Sequence, residues 1–94
     1  MHLRLRMTNK PVFQFEGLHT DFLLFTKDFC GYCTAAKNLL KGKELTFTEV
    51  NLQENYDLRA ALVEETGHRT VPIIFDLREG LAFVGGFDEL RRAV

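Results

Sequence analysis

The two cysteines of the sequence, Cys30 and Cys33, are separated by two residues in a Cys-Gly-Tyr-Cys motif. A free thiol with a pKa of about 8.5 is only about 3% thiolate at pH 7, whereas a helix N-terminus or a neighbouring cation lowers that pKa to about 3.5–7.5. The thiolate attacks disulfide sulfurs, and a second thiol this close can complete the exchange. The spacing therefore indicates thiol–disulfide redox chemistry.

The segment after Cys30 is predicted to be a helix, because apolar residues recur there at helical spacing. These residues are Tyr32, Ala36, Leu39 and Leu40. Cys30 would then lie at the positive end of the helix dipole, with Lys27 three residues upstream as a further cation, and both favour its thiolate. Cys33 would lie one turn inside the helix. We therefore predict that Cys30 is the nucleophile and Cys33 the resolving thiol.

A cysteine pair of this spacing can also be half of a zinc site. A closed zinc site needs about four ligands, and the sequence has no second cysteine pair. His2, His19 and His68 lack the spacing that would complete one. We therefore favour redox chemistry, predict no metal site from these residues, and interpret His68 as a surface residue rather than a catalytic base.

From residue 21 onward, short β-rich runs alternate with helical ones, which predicts an α/β fold with four strands in a mixed sheet and three helices. The predicted strands cover residues 22–26, 46–50, 73–75 and 81–84. Asn55 is predicted to cap the second helix and Gly67 to end it, and Gly42 is predicted to end the first helix in a left-handed conformation. Residues 78–80 form a connection of hairpin length, and the last helix follows Gly86.

The first twenty residues are predicted to form an N-terminal extension to a domain at residues 21–94. Leu3, Leu5 and Met7 alternate with polar residues as in an amphipathic strand, and residues 12–15 could continue as another. An extra edge strand or hairpin is therefore one prediction for this segment. A loosely held arm is the other, because chain termini are often poorly ordered.

Composition limits the classes of function. A length of 94 residues fits one domain, and a net charge of −1 argues against a dedicated nucleic-acid binder. Two cysteines are too few for the disulfide framework of a small secreted protein, and no apolar run is long enough for a signal-peptide core or a membrane span. We expect a cytoplasmic, soluble monomer without a membrane partner.

Three segments resemble glutaredoxins in order, spacing and placement: residues 27–33 around the cysteines, the Thr-Val-Pro at 70–72, and the Gly-Gly-Phe-Asp at 85–88. The resemblance covers residues 21–94. It implies a thioredoxin fold with a cis peptide before Pro72. It also implies a glutathione-dependent thiol–disulfide oxidoreductase that reduces glutathione mixed disulfides and protein disulfides, with glutathionylated or disulfide-bonded proteins as partners.

The resemblance assigns a role to several residues around the cysteines. Lys27 and Arg59 would bind the glycyl carboxylate of glutathione, with Arg69 as a helper or else a solvated charge. Val71 would pair its backbone with the extended ligand, as the edge of a sheet does. Tyr32 would flank the ligand sulfur.

The other end of the ligand would lie at the start of the last helix. Asp88 would bind the γ-glutamyl ammonium, and the backbone N–H groups of Phe87 and Asp88 would bind the adjacent carboxylate. The complete set of glutathione-binding residues implied by the resemblance is Lys27, Tyr32, Arg59, Arg69, Thr70, Val71, Pro72, Gly86, Phe87 and Asp88.

Gly31 departs from the family, which most often has Pro at this position. A Pro there would preset φ for the first turn of the helix, and Gly31 removes that constraint. Some family members with a small residue here resemble carriers in which two subunits and two glutathiones hold a [2Fe-2S] cluster through the first cysteine, here Cys30. Such a cluster-binding module is one alternative. A thioredoxin-like electron donor to ribonucleotide reductase is the other.

Overall fold

The computed structural model describes Phe15 and residues 17–94. In chain order the elements are β1 (Phe22–Thr26), α1 (Gly31–Gly42), β2 (Phe47–Asn51), α2 (Tyr56–Thr66), β3 (Ile73–Asp76), β4 (Ala82–Gly85) and α3 (Phe87–Ala93). The strands form one sheet in the order β2-β1-β3-β4. β1 is parallel to β2, whereas the pairs β1–β3 and β3–β4 are antiparallel. The predicted α/β architecture, a thioredoxin fold with four strands and three helices, is confirmed.

β1 is the centre of the fold because its side chains are apolar on both faces of the sheet. All five of its residues are buried. Leu23 and Phe25 face a cluster that includes Leu62 of α2, while Phe22 and Leu24 face the cluster built on α1 and α3. The sheet is therefore covered on both sides, and the end of β1 carries the chain directly to the cysteines.

The ends of α2 follow the predicted local chemistry. The side chain of Asn55 accepts a hydrogen bond from the Leu58 N–H at 3.2 Å, and Gly67 ends the helix with a φ of 76°. Both residues satisfy backbone groups that a helix end leaves without partners. None of the helices in the described part of the chain is long and apolar enough to cross a membrane.

The predicted left-handed stop at Gly42 is wrong. Gly42 is the last residue of α1, and the left-handed residue is Glu44, with a φ of 61°. The Glu44 N–H donates to the Lys41 carbonyl and the Leu45 N–H to the Leu40 carbonyl, which is a Schellman motif. Leu40 is buried and Leu45 packs against the same cluster, so this apolar contact, and not the glycine, sets where the helix turns.

Part of the predicted extension packs on the domain. The ring of Phe15 meets that of Phe25 edge to face at 5.3 Å, and Leu18 packs against the same cluster. The strand predicted over residues 3–7, and all of the one predicted over residues 12–15 except Phe15, lie outside the described residues; Phe15 itself is not in a strand. The boundary at residue 20 stays a prediction.

Candidate active site

Cys30 and Cys33 form a disulfide at the N-terminus of α1. Cys30 is the N-cap, and its Sγ accepts a hydrogen bond from the Cys33 N–H at 3.1 Å. Cys30 is half-buried, whereas Cys33 is 2% exposed and packed in the core. A reactant from solvent therefore reaches the sulfur of Cys30 and not that of Cys33. The roles of nucleophile and resolving thiol stay predictions.

The segment that follows α2 faces the disulfide. The peptide bond between Val71 and Pro72 is cis, as the resemblance implied. The Val71 carbonyl oxygen lies 3.8 Å from the Sγ of Cys30, within the range at which a reduced thiol donates a weak hydrogen bond. Val71 therefore presents backbone polar groups beside the reactive sulfur.

A groove of about 280 Å³ runs from this segment to the start of α3. We call it the proline groove. It is lined by Tyr32, His68, Thr70, Val71, Pro72, Gly86, Phe87, Asp88 and Glu89. Seven of these nine residues belong to the predicted glutathione-binding set, so the structure brings most of that set together. His68 and Glu89 were not predicted, and His68 is half-buried in the groove wall rather than a free surface residue.

Aromatic and charged side chains flank the outer part of the proline groove. The rings of Tyr32 and Phe87 lie 6.1 Å apart, and Tyr32 is 67% exposed. Asp88 is exposed and accepts a hydrogen bond from the Arg91 guanidinium at 3.4 Å. An ammonium group of a ligand would therefore compete with Arg91 for this carboxylate.

The inner end of the proline groove depends on two glycines. Gly85 has a φ of 128°, and a Cβ there would lie 2.9 Å from the Glu89 side chain. The Gly86 N–H donates to Glu89 Oε1 at 2.8 Å, and this bond is the largest cause that lowers the pKa of the Glu89 carboxyl. Side chains at either glycine position would crowd the wall of the groove.

A second groove, of about 310 Å³, lies beside the residues that precede Cys30. We call it the lysine groove. It is lined by Lys27, Asp28, Phe29, Leu52, Gln53, Tyr56 and Arg59. Lys27 and Arg59 thus come together as predicted. Within the described part of the chain, Arg69 lines neither groove, and its backbone carbonyl accepts a bond of 3.4 Å from Arg59 Nη2.

Phe29 is a feature of the lysine groove that the sequence reasoning missed. Its side chain is fully exposed and its φ is 54°, a left-handed conformation that non-glycine residues rarely adopt. Such backbone strain costs on the order of 1–3 kcal/mol and clusters at functional sites. Phe29 directly precedes Cys30, so this strained turn sets how the chain enters the active site.

A polar network behind the disulfide joins α1 to the sheet. The fully buried Thr26 donates to Glu49 Oε2 at 2.6 Å, and Lys37 Nζ donates to both Glu49 oxygens at 3.1 Å. Burial alone would raise the pKa of Glu49, but these hydrogen bonds and the charges of Lys37 and Lys41 outweigh it and lower the pKa. The network anchors the helix that carries Cys33.

Among the described residues, no group of three or more potential metal ligands comes together. The sheet order, the cysteine pair at a helix start and the facing cis-proline define a thioredoxin-fold domain with a redox-active dithiol. The glutaredoxin family model matches residues 22–78. The chain belongs to the glutaredoxin family.

The relatives agree with this assignment. Glutaredoxin 3 of Escherichia coli K12 is 37% identical over 68 residues, which are 71% of this chain and 77% of the relative. The glutaredoxin of Vernicia fordii is 40% identical over 70 residues, or 71% of this chain. The alignments span 64% and 60% of the Vernicia fordii and Solanum lycopersicum glutaredoxins, less than two thirds of their lengths.

Solved structures share the fold. The holo form of glutaredoxin C1 from poplar (Populus tremula x tremuloides) superposes with a TM-score of 0.69 at 34% identity, covering 78% of this chain and 72% of that one. The buckwheat glutaredoxin–glutathione complex gives a TM-score of 0.70 at 26% identity, covering 97% and 78% of the two chains.

Proposed function

We propose that this protein is a glutathione-dependent thiol–disulfide oxidoreductase that reduces glutathione mixed disulfides and protein disulfides. The observation that carries the proposal is that the half-buried Cys30 adjoins both grooves: its Sγ lies 3.8 Å from the carbonyl oxygen of Val71 in the proline groove, and Phe29 of the lysine groove directly precedes it. A tripeptide-like ligand with its sulfur at Cys30 has a groove available for each end. Membership of the glutaredoxin family and the buckwheat glutathione complex support the same ligand.

The polar groups of the two grooves fit the charges of glutathione. The ligand has a carboxylate at its glycyl end, which the cations Lys27 and Arg59 would attract. Its γ-glutamyl end has an ammonium and a carboxylate, for which Asp88 and the backbone N–H groups at the start of α3 are the complements. Between them, the backbone of Val71 can pair with the extended ligand.

The first reaction breaks a glutathione mixed disulfide. The Cys30 thiolate attacks the glutathione sulfur, the protein thiol leaves and takes a proton, and a disulfide between Cys30 and glutathione forms. A second glutathione thiolate then attacks this disulfide, releasing glutathione disulfide and the Cys30 thiolate. The Cys33 N–H, 3.1 Å from Cys30 Sγ, favours the thiolate in both steps.

Protein disulfides require both cysteines. Cys30 attacks one sulfur of the substrate, and the Cys33 thiolate then attacks Cys30, which frees the reduced substrate and gives the Cys30–Cys33 disulfide described here. Two glutathione molecules return the pair to the dithiol and are oxidised to one glutathione disulfide, so two electrons pass from glutathione to the substrate.

Turnover of a glutathione mixed disulfide, coupled to glutathione reductase, tests the proposal. Wild-type protein should be active, and Cys30→Ser should reduce activity to background because it removes the nucleophile. Cys33→Ser is the matched control, since it should retain turnover of the mixed disulfide and lose reduction of protein disulfides. Equal activity of wild type and Cys30→Ser would contradict the proposal.

A [2Fe-2S] cluster shared between two copies is a second candidate. It is favoured by Gly31, which begins α1 in open space where the family most often has Pro. Because the described residues of one chain offer no metal-binding cluster, the chain would supply the Cys30 thiolate and glutathione thiols the other ligands.

Anaerobic reconstitution of the reduced protein tests this candidate. A coloured dimer that requires glutathione and Cys30, but not Cys33, is the expected product. A colourless monomer under the same conditions would exclude it. Electron delivery to ribonucleotide reductase, the cytoplasmic location and the monomeric state of the enzyme stay predictions.

A further inference from the structure

His68 occupies the inner end of the proline groove, between α2 and β4. Its backbone N–H donates to the Thr66 side chain at 3.0 Å, and its ring meets that of Phe83 edge to face at 5.9 Å. The Nε2 atom lies 3.4 Å from the Thr70 hydroxyl. The imidazole is therefore held by packing and directed toward the groove rather than into solvent.

The imidazole lies directly over Gly86. A Cβ at Gly86 would be 3.2 Å from His68 Nε2 and 3.5 Å from Glu89 Oε1. Because Gly86 has no side chain, the imidazole and the Glu89 carboxylate can both lie next to the same point of the groove. Hydrogen bonds from the Gly86 and Glu89 N–H groups, together with the charges of Arg92 and His68, lower the pKa of Glu89 and keep it ionised.

The charges along the proline groove are unbalanced without His68. Among its nine described lining residues, Asp88 and Glu89 are anionic, and His68 is the one that can become cationic. Asp88 has Arg91 as an exposed partner. A ligand carboxylate that approaches the start of α3 therefore meets an ionised Glu89, which repels it unless the neighbouring imidazole is protonated.

We propose that His68 is a positioning residue whose protonation offsets the charge of Glu89 and strengthens binding of the γ-glutamyl carboxylate of glutathione. This inference rests on the proposed function. It makes the affinity for glutathione dependent on pH through a group that takes no part in the exchange of disulfides.

The groups around His68 fit this role. From α3 it is faced by Glu89 and Asp88, with Arg92 acting on Glu89. β4 presents the uncharged ring of Phe83, and the segment before Pro72 presents the Thr70 hydroxyl. Glu89 is thus the anionic group beside His68 whose repulsion of the ligand carboxylate the imidazolium would offset.

Binding of S-methylglutathione to the full chain tests the inference, because this probe has no thiol to titrate. Histidine side chains change charge between about pH 5 and pH 8, and an exposed charge pair changes an affinity by about two- to fivefold. The dissociation constant of wild type, measured calorimetrically, should rise about two- to fivefold as the pH is raised from about 5 to about 8. His68→Gln should bind at all pH values as weakly as wild type at the upper end.

Two further variants separate this role from a structural one. His68→Arg keeps a fixed positive charge and should bind with little pH dependence, as tightly as wild type at the lower end of the range. Glu89→Gln should bind more tightly than wild type at the upper end of the range, because it removes the repelling carboxylate while His68 is retained. N-acetyl-S-methyl-cysteinylglycine, which lacks the γ-glutamyl group and has no free amine to titrate, should bind without pH dependence.

The outcomes also separate this inference from the proposed function. If wild type failed to bind S-methylglutathione at any pH, the proposed function itself would be wrong. If binding depended on pH equally in wild type and His68→Gln, or did not depend on pH in wild type, only the proposed role of His68 would be overturned. If His68→Gln does not fold, the pH dependence of binding of the two probes to wild type still tests the role of His68.

Discussion

The proline groove and the lysine groove both adjoin Cys30, the first through Val71 and the second through Phe29, but they are built differently. The inner part of the proline groove is formed by backbone next to the ends of β3 and β4, where Pro72 and Gly86 are buried. The lysine groove is formed by long side chains, among which Phe29 and Tyr56 are at least three-quarters exposed. The first surface is therefore fixed by the fold, while the second can change shape with its rotamers. Substitutions should affect the two grooves in different ways.

The largest effect should come from Gly85→Ala in the proline groove. A φ of 128° is strained for any side chain, and a Cβ would approach the Glu89 side chain to 2.9 Å. We expect a loss of about 1–3 kcal/mol in the free energy of unfolding, measured with urea, and a higher KM for glutathione.

Gly86→Ala is the matched control, because its φ of −105° is open to any residue and its main cost is displacement of His68. It should destabilise the protein less than Gly85→Ala. The opposite order would show that the backbone of this groove is not what fixes its shape.

Phe29→Asn should stabilise the protein by up to about 1 kcal/mol. Asn tolerates the left-handed conformation that is unfavourable for Phe, and the fully exposed ring contributes no packing that could be lost. The midpoint of urea unfolding measures the change. Phe29→Ala is the control, because it keeps the strained backbone and should leave the free energy of unfolding nearly unchanged. If Phe29→Ala stabilised the protein as much as Phe29→Asn, relief of backbone strain would not be the cause.

Lys27→Gln and Arg59→Gln should each raise the KM for glutathione by about two- to fivefold and change kcat little, because each loses one charge contact with the ligand at the protein surface. Added salt should raise the KM of the wild type toward that of the variants, since salt screens exposed charges. Lys43→Gln, an exposed change of the same charge at the end of α1, is the control. An unchanged KM in both groove variants would remove the lysine groove from the ligand site.

The smallest effect concerns Glu89 and pH. Its pKa is lowered in the folded state, chiefly by the Gly86 N–H, so its contribution to stability is present above the ordinary carboxyl range and is lost as the pH falls through the folded pKa. Wild type should therefore lose more unfolding free energy than Glu89→Gln on acidification below about pH 4.5. Glu54→Gln, at an exposed position, should behave as wild type.

Features encoded by neighbouring residues could be predicted from the sequence. The buried strand β1, the Asn55 cap and the Gly67 stop each follow from short-range rules. The prediction for Gly42 failed because burial of Leu45 on the core cluster, a tertiary contact, determined the end of α1.

The site was predicted where a family motif carried it and missed where distant residues meet. His68 and Glu89 are 21 positions apart and come together only because α3 begins beside the segment that precedes Pro72. The left-handed turn at Phe29 has no local signal, since an aromatic residue is not expected there. Neither feature could be derived without the folded backbone.

The Cys30 sulfur is both the cap of α1 and the atom that exchanges partners during turnover. Each covalent state of this sulfur, whether thiolate, glutathione adduct or intramolecular disulfide, presents a different electron density to the Cys33 amide hydrogen. The chemical shift of that single amide in a ¹⁵N-labelled sample therefore distinguishes the states. Because the bond also closes the first turn, the exchange of this amide with deuterated solvent follows the oxidation state of the pair, and the protein carries its own redox indicator in its backbone.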